Sequence, residues 1–429
     1  MEGARGNGPV LLHPPEPVLF GESRMQAVRS YSWFPLTVLW FGAAMSVAEI
    51  QTGGLVAAAG PGPGLQAIIG GHVLGACLLG LMGYIGFREG MPSLMCTRIA
   101  FGIRGSWLLS AANVMQLLGW TTVMIQQNSQ AVGGITRQLW GVEATPVAII
   151  ALGCLIALWA LWETAGKHTG NTIAVIMLGL LAILVSHTLW AKAGATGIAR
   201  PAAPPTMSFA DAFELSLVMP LSWVPLVADY ASRAKSARAA CLAPALGYLT
   251  GSVWMYGLGF AGALLTGQSD PTPMMMAAGL GMAALSVLVI STVATTFLDV
   301  YSVVATARNI APRLNERATG LCAVAIGTGA ALVWDSTLYI HFLHLIGAVF
   351  APLSAILFAD YFLMRRDDRH RTVSVPSLVS LAVGVGGHVL FSKIGSPVGP
   401  TFSCLLLTLA VHVCLRAFLP VKRTAAPDA

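Results

Sequence analysis

The stretch Glu214–Tyr230, ELSLVMPLSWVPLVADY, decides the fold. It is apolar enough to enter a membrane, yet Pro220 and Pro225 flank Ser222 and Trp223. Proline removes a backbone donor and clashes one turn back, so the sequence predicts a broken helix here. A backbone group freed in hydrocarbon costs about 2–7 kcal/mol unless protein or a water-lined cavity satisfies it. A break at membrane depth therefore reads as a binding site. The plainer alternative is a proline kink in a buried helix.

The rest of the chain supplies the membrane-embedded surroundings. Of 429 residues, 56% are hydrophobic and 10% charged, and the mean hydropathy is +0.74. That composition predicts an all-α polytopic membrane protein. The seven cysteines are scattered through apolar runs without a CxxC pair, which points to core residues and to neither disulfides nor a metal site. Residues 1–32 read as a cytoplasmic tail. They are rich in Gly, Pro and charge and lack an apolar h-region before Tyr31, so no cleaved signal peptide is expected. The Ala- and Gly-rich composition suits a bacterial inner membrane.

Twelve spans can be drawn, near 34–59, 65–87, 106–136, 144–162, 169–191, 210–229, 241–266, 274–307, 318–334, 338–364, 374–391 and 399–419. With the N-terminus placed in the cytoplasm, all but four of the 24 Lys and Arg fall inside; the exceptions are Arg137, Lys192, Arg200 and Lys393. This bias supports the span count, and it puts both termini, including the tail 420–429, in the cytoplasm. It also accounts for the net charge of +6 without nucleic acid. Span one carries a weak point at Gly53–Gly54 after the polar residues Glu49, Gln51 and Thr52, and span six carries the proline break. The two lie five spans apart and run in opposite directions. The pattern predicts an inverted repeat of five plus five helices, residues 33–192 and 209–364, with 374–419 as two accessory helices.

Two acids are expected at membrane depth, where a charged Asp costs about 2.5–3.5 kcal/mol. Glu49 lies mid-span in helix one, and Asp299 lies roughly 13 Å from the Arg308 end of helix eight. Each reads as a coupling-ion or substrate contact, or as a structural acid bonded by its neighbours. On helix eight, Ser291, Thr295, Asp299, Ser302 and Thr306 share a narrow sector flanked by Thr292 and Thr296, an oxygen-rich stripe suited to a hard cation or to helix–helix bonding. On helix three, Asn113, Gln116, Trp120 and Gln127 share another. Amides beside an indole fit a flat heteroaromatic ligand, with Trp223 closing the other side. Trp33, Trp140, Trp190 and Trp334 read as interfacial anchors. His341 and His344, one turn apart, lack a third metal ligand in the sequence. There is no HExxH, P-loop or phosphate-cradling loop, so a self-energised ATPase pump is unsupported.

Several segments resemble the nucleobase:cation symporter family that contains cytosine permease. They are Thr52-Gly53-Gly54, Gly83-Tyr84-Ile85-Gly86, RIAFGIRGSW from Arg98 to Trp107, Gly119-Trp120, Ala228-Asp229-Tyr230 followed by Arg233, Thr295-Thr296 and Asp360-Tyr361. NVMQLLGWT and TFLDVYS are similar to the hydroxymethylpyrimidine permease branch, linked to thiamine-precursor salvage. The resemblance implies a LeuT-type fold with Trp120 stacked on the substrate ring and Ser222–Trp223 touching it. It also implies that Na⁺ is held by carbonyls near Ser46–Glu49 and by the Thr295 and Thr296 hydroxyls. Cytosine permease has its Gln three residues before the matched Trp, whereas Gln116 is four before Trp120, and Thr292 stands where that family member has Asn.

The expectation is a secondary transporter importing a pyrimidine, hydroxymethylpyrimidine ahead of cytosine or another nucleobase. Glu49, Gln116, Trp120, Ser222 and Trp223 would bind substrate. Ser46, Thr295, Thr296 and Asp299 would bind the coupled cation, Na⁺ or alternatively H⁺. No cofactor, no metal beyond that cation, and a monomer in the bilayer are expected. A channel or an intramembrane enzyme are the other classes; neither finds an open polar pathway or a nucleophile here.

Overall fold

Each long apolar stretch of the sequence is helical, and the two central ones are broken. This computed structural model describes residues 30–163, 169–196, 205–277 and 281–418; on the eighth span it describes side chains only at Val293 and from Thr296 onward. Of the tails expected at 1–32 and 420–429, residues 1–29 and the whole of the second lie outside the described residues.

The first span is two helices, α1 (Trp33–Ala44) and α2 (Val47–Val56). They meet at a bend of 60°. Met45 and Ser46 leave helical geometry between them. The Ser46 hydroxyl accepts the Glu49 N–H at 3.4 Å and so restarts the helix. Ser46-Val47-Ala48-Glu49 is an S-x-x-E pattern, a helix-start signal present in the sequence. The weak point expected at Gly53–Gly54 is instead regular helix. A Cβ on Gly53 would overlap the Tyr256 backbone, and one on Gly54 the Ser269 backbone. These glycines permit a close crossing rather than a break.

A 3₁₀ turn, Ala57–Ala59, leads into α3 (Pro61–Glu89), the single turn α4 (Ser93–Cys96) and α5 (Arg98–Trp140). Gly102 in α5 has φ +75°, a left-handed conformation that glycine adopts without strain. The next two N–H groups, of Ile103 and Arg104, donate to the carbonyls of Arg371 and Thr372 at 2.9 and 2.8 Å. The first half closes with α6 (Thr145–Glu163) and α7 (Thr169–Thr196).

The second half opens on the other broken span, α8 (Phe209–Ser222) and α9 (Val224–Ala231). Pro220 fits against α3 where Gly75 has no side chain; a Cβ there would overlap the proline ring. The Leu226 N–H turns to the Trp223 carbonyl at 3.0 Å, which frees the Ser222 carbonyl. Gln116 supplies the missing donor, its Nε2 lying 2.7 Å away. The elements α10 (Ala237–Thr266), α11 (Pro271–Ala277), α12 (Gly281–Ile310), α13 (Glu316–Ala331) and α14 (Leu338–Phe358) complete the repeat, and α14 runs on into a π turn, Ala359–Met364. The accessory helices are α15 (Val375–Ile394) and α16 (Pro400–Ala417).

The chain is thus an all-α polytopic membrane protein with a five-plus-five core and two peripheral helices. Among the described residues, seven helices are long and apolar enough to cross a membrane, or eight with the bent first pair. The helical stretches are consistent with the twelve spans expected. Trp33, Trp140 and Trp190 are exposed near helix ends, whereas Trp334 packs on Phe342.

The peripheral pair is fastened by a buried charge cluster. Arg416, fully enclosed, reaches Asp360 at 2.5 Å and Asp368 at 2.9 Å. His412 lies 3.1 Å from the other Asp360 oxygen. In the sequence Arg416 counts as one more positive charge at a span end; in the fold it joins α16 to the end of α14.

Candidate functional site

The two breaks face one another, and a cavity of about 20 Å³ lies between them. Its wall holds Ser46, Glu49, Trp120, Trp223 and Asp299, five residues expected at the site, with Ala43, Met124 and Met219 between them. The volume is enough for about one water molecule and far below that of a heteroaromatic ring. The side chains are therefore closed upon each other, and a ring fits only if they part.

The two indoles are held from outside the cavity. Trp120 on α5 makes edge contacts with Phe342 and Tyr339, ring centroids 5.2 and 6.5 Å apart. Trp223, at the α8/α9 break, stands edge-on to Trp40 at 5.6 Å and tilted to Tyr248 at 6.1 Å. Tyr339 in turn shares a 2.7 Å hydrogen bond with Thr52 of α2. The aromatic wall is thus tied to the half-helix that carries Glu49. Such edge-to-face packing fixes ring orientation and adds about 0.5–1.5 kcal/mol per pair beyond burial.

The two carboxylates have different surroundings. Glu49 is tied off: Tyr248 donates to one oxygen at 2.5 Å and Ser252 to the other at 2.6 Å. His72 backs the arrangement, its Nε2 lying 2.7 Å from Ser252 Oγ. Glu49 therefore locks α2 to α10 while presenting its edge to the cavity. Asp299 is 4% exposed, lines the cavity, and has no hydrogen-bond partner among the described residues. A buried carboxylate so placed requires a proton, a cation or a ligand donor.

The polar stripes divide by role. Gln116 and Ser222 lie behind the wall rather than on it. Gln116 bonds the Ser222 carbonyl, and the Ser222 hydroxyl donates to Met219 O at 2.6 Å. The Gln116 Oε1 is buried without a partner. Asn113 donates to Thr306 at 2.9 Å and Gln127 to Gln51 at 2.5 Å, so these amides join helices. On α12, Ser302 donates to Asp229 at 3.2 Å. Asp229 also accepts the Ser93 N–H at 3.0 Å and so anchors the single turn α4. Thr296 is buried away from the cavity wall. The side chains of Ser291, Thr292 and Thr295 lie outside the described residues.

Ala43, Met124 and Met219 were missed as wall residues. Met124 is one helical turn beyond Trp120, and Met219 precedes the Pro220 break, so their positions were legible, but their chemistry gave no signal. For a cation, the cavity offers Asp299, Ser46 and the carboxyl end of α1, whose last carbonyls lose their helical donors at the break. The negative end of the α1 dipole adds to that field.

A family model described as a permease for cytosine/purines, uracil, thiamine, allantoin matches residues 25–376. The cytosine permease of Escherichia coli (strain K12) is 26% identical over 397 residues, covering 87% of this chain and 90% of that protein. The hydantoin permease of Microbacterium maritypicum is 23% identical over 367 residues, covering 79% and 74%. Among solved structures, Mhp1, a nucleobase-cation-symport-1 family transporter in a closed conformation with bromovinylhydantoin bound, superposes with a TM-score of 0.77 at 20% identity, over 91% of this chain and 93% of that one. Its inward-facing conformation gives the same TM-score, 0.77, at 19% identity, over 91% of each chain. The likeness therefore establishes the fold and does not favour one conformation.

Proposed function

Because the chain belongs to the permease family for cytosine/purines, uracil, thiamine and allantoin, we propose that it carries a flat nitrogen heterocycle across a bacterial inner membrane, together with a cation, by alternating access. Membership makes it a transporter and not an enzyme. Both termini would be cytoplasmic, residues 33–192 and 209–364 would be the two repeats, and one bundle of helices would rock against the rest.

The observation that carries this reading is Asp299, a buried carboxylate without a hydrogen bond among the described residues, beside two indoles where both central helices break. Trp120 and Trp223 offer stacking faces to a ring. Asp299 offers one charge to a coupled ion. If Na⁺ binds, Ser46 and the α1 carbonyls are the oxygen donors at the cavity, and the family resemblance would add the hydroxyls of Thr295 and Thr296. If H⁺ couples instead, Asp299 carries it. Coupling requires that the ion favour the substrate-loaded form; otherwise its gradient does no work.

Among the named relatives the cytosine permease supports cytosine as substrate; the NVMQLLGWT and TFLDVYS segments support hydroxymethylpyrimidine. Both molecules are 4-aminopyrimidines, presenting a ring-nitrogen acceptor beside an exocyclic amine donor. The shared edge is the feature that the Glu49–Asp299 side of the cavity would read. A thermal-shift panel of pyrimidines and purines, with and without Na⁺ and across pH, tests the proposal. Stabilisation by a 4-aminopyrimidine that grows with Na⁺, or with acidity, supports it. Uptake driven by an imposed ion gradient into proteoliposomes, if indifferent to both a sodium ionophore and a protonophore, removes symport.

A further inference from the structure

A second and larger cavity, about 610 Å³, opens at the end of the bundle where α8 begins and α15 ends. His344 and His388 line it, and behind them lies Glu214 of α8, 1% exposed. These three side chains come from three helices, α8, α14 and α15. His388 Nε2 lies 3.4 Å from Glu214 Oε1, and His344 Nδ1 lies 3.6 Å from the same oxygen. All three candidate ligand atoms fall within 4.8 Å of one another.

The spacing has a chemical meaning. Zinc binds imidazole nitrogen and carboxylate oxygen at ~2.0–2.1 Å in a tetrahedron, which sets neighbouring ligand atoms about 3.3 Å apart. The two His–Glu separations already match an edge of that tetrahedron. Hydrogen bonding alone serves this cluster poorly. Glu214 Oε1 already takes the Thr401 hydroxyl and His388 Nε2, which fills its two lone pairs and leaves none for His344. His344 Nδ1 is left buried with no hydrogen bond among the described residues. A cation at the centre of the three would satisfy every one of these atoms, with its fourth position open to the cavity. Asp211, His341 and Lys393 line that cavity too. The remaining Glu214 oxygen accepts the Thr401 N–H at 2.9 Å, which orients the carboxylate as an outer partner orients a metal ligand.

We propose that Glu214, His344 and His388 form a binding site for a divalent transition-metal ion of the zinc class, distinct from the central cavity. The bound ion joins α8, the outer part of the broken span six, to α14 and α15. The site stands independently of the transported substrate and its coupling ion.

The test is a titration of the full chain, purified without a polyhistidine tag, with Co²⁺ followed by competition with Zn²⁺. The expected result is one equivalent bound, the visible absorption of four-coordinate cobalt, and a rise in the thermal midpoint with metal. Binding weakens as pH falls through the histidine range, because protons compete for the imidazoles. His344→Ala and His388→Ala are each expected to lower affinity more than about tenfold, as loss of metal-site partners does. His341→Ala leaves it unchanged. Glu214 is kept intact, since it also caps α16. Metal-free thermal midpoints close to that of the parent verify that the variants are folded. An absence of cobalt absorption, or affinity unaltered in both folded histidine variants, overturns the site and leaves Glu214 as a helix cap only.

Discussion

Replacing Trp120 by Ala tests the binding reading at its aromatic wall. In the structure the indole is 6% exposed, with one edge on the central cavity and the others against Phe342 and Tyr339. Two effects follow from its removal. The substrate loses a stacking face, worth about 1–3 kcal/mol per ring by analogy with base stacking, or roughly 5- to 150-fold in Kd at ~1.4 kcal/mol per tenfold. The fold loses a large buried side chain, at a cost of about 3–5 kcal/mol where neighbours cannot close the space. The two are separable. Radiolabelled cytosine and hydroxymethylpyrimidine binding in nanodiscs reads the first, and the thermal midpoint of the ligand-free protein reads the second. Trp120→Phe keeps a smaller ring on the wall and should recover most of the affinity. Parent-like affinity in a Trp120→Ala protein would refute the reasoning and return the indole to the packing of α5 against α14. A loss of affinity that Phe fails to recover would point to packing as well.

Other consequences follow from the same geometry. Asp299→Asn, which removes charge but little volume, should abolish the dependence of substrate binding on Na⁺ or on pH, measured by thermal shift; intact dependence would place the cation elsewhere. Gln116→Leu strips the donor from the Ser222 carbonyl at the proline break and should lower stability by about 1–3 kcal/mol, read as a lower thermal midpoint. Arg416→Met leaves buried Asp360 with only His412 and Asp368 with only Arg371 and should cost up to about 3–5 kcal/mol, with the accessory helices exchanging amide hydrogens first. Gly53→Val should fail to give folded protein, because its side chain would overlap the Tyr256 backbone where α2 crosses α10; normal expression and melting would contradict the crossing.

Much of the architecture was legible in the sequence. Hydrocarbon admits no unsatisfied backbone, so apolar length alone located the helices, and the two prolines located the break in span six. The break in span one was legible too, in the Ser46–Glu49 capping pattern, but the glycine pair starting seven residues after Ser46 suggested a weak point of its own. Glycine has two uses in a helix, flexibility and close approach. One strand of sequence cannot distinguish them, because the Tyr256 carbonyl that decides the matter is about 200 residues away.

The sequence by itself determined what must lie in the membrane and, though not the equally buried Glu214, Asp229 and Asp360, some of the residues that are costly there: Glu49 and Asp299 among the acids, Gln116 and Asn113 among the amides. Periodicity placed each of them on a helix face. Tertiary structure alone decided which of these groups are satisfied. Tyr248 and Ser252 reach Glu49, while no described residue reaches Asp299. Gln116 spends its donor on a carbonyl that the prolines had freed, and His344 meets Glu214 and His388 from two other helices. Satisfaction is a property of pairs, and these pairs lie far apart along the chain. Burial cost can be read one residue at a time; its compensation cannot.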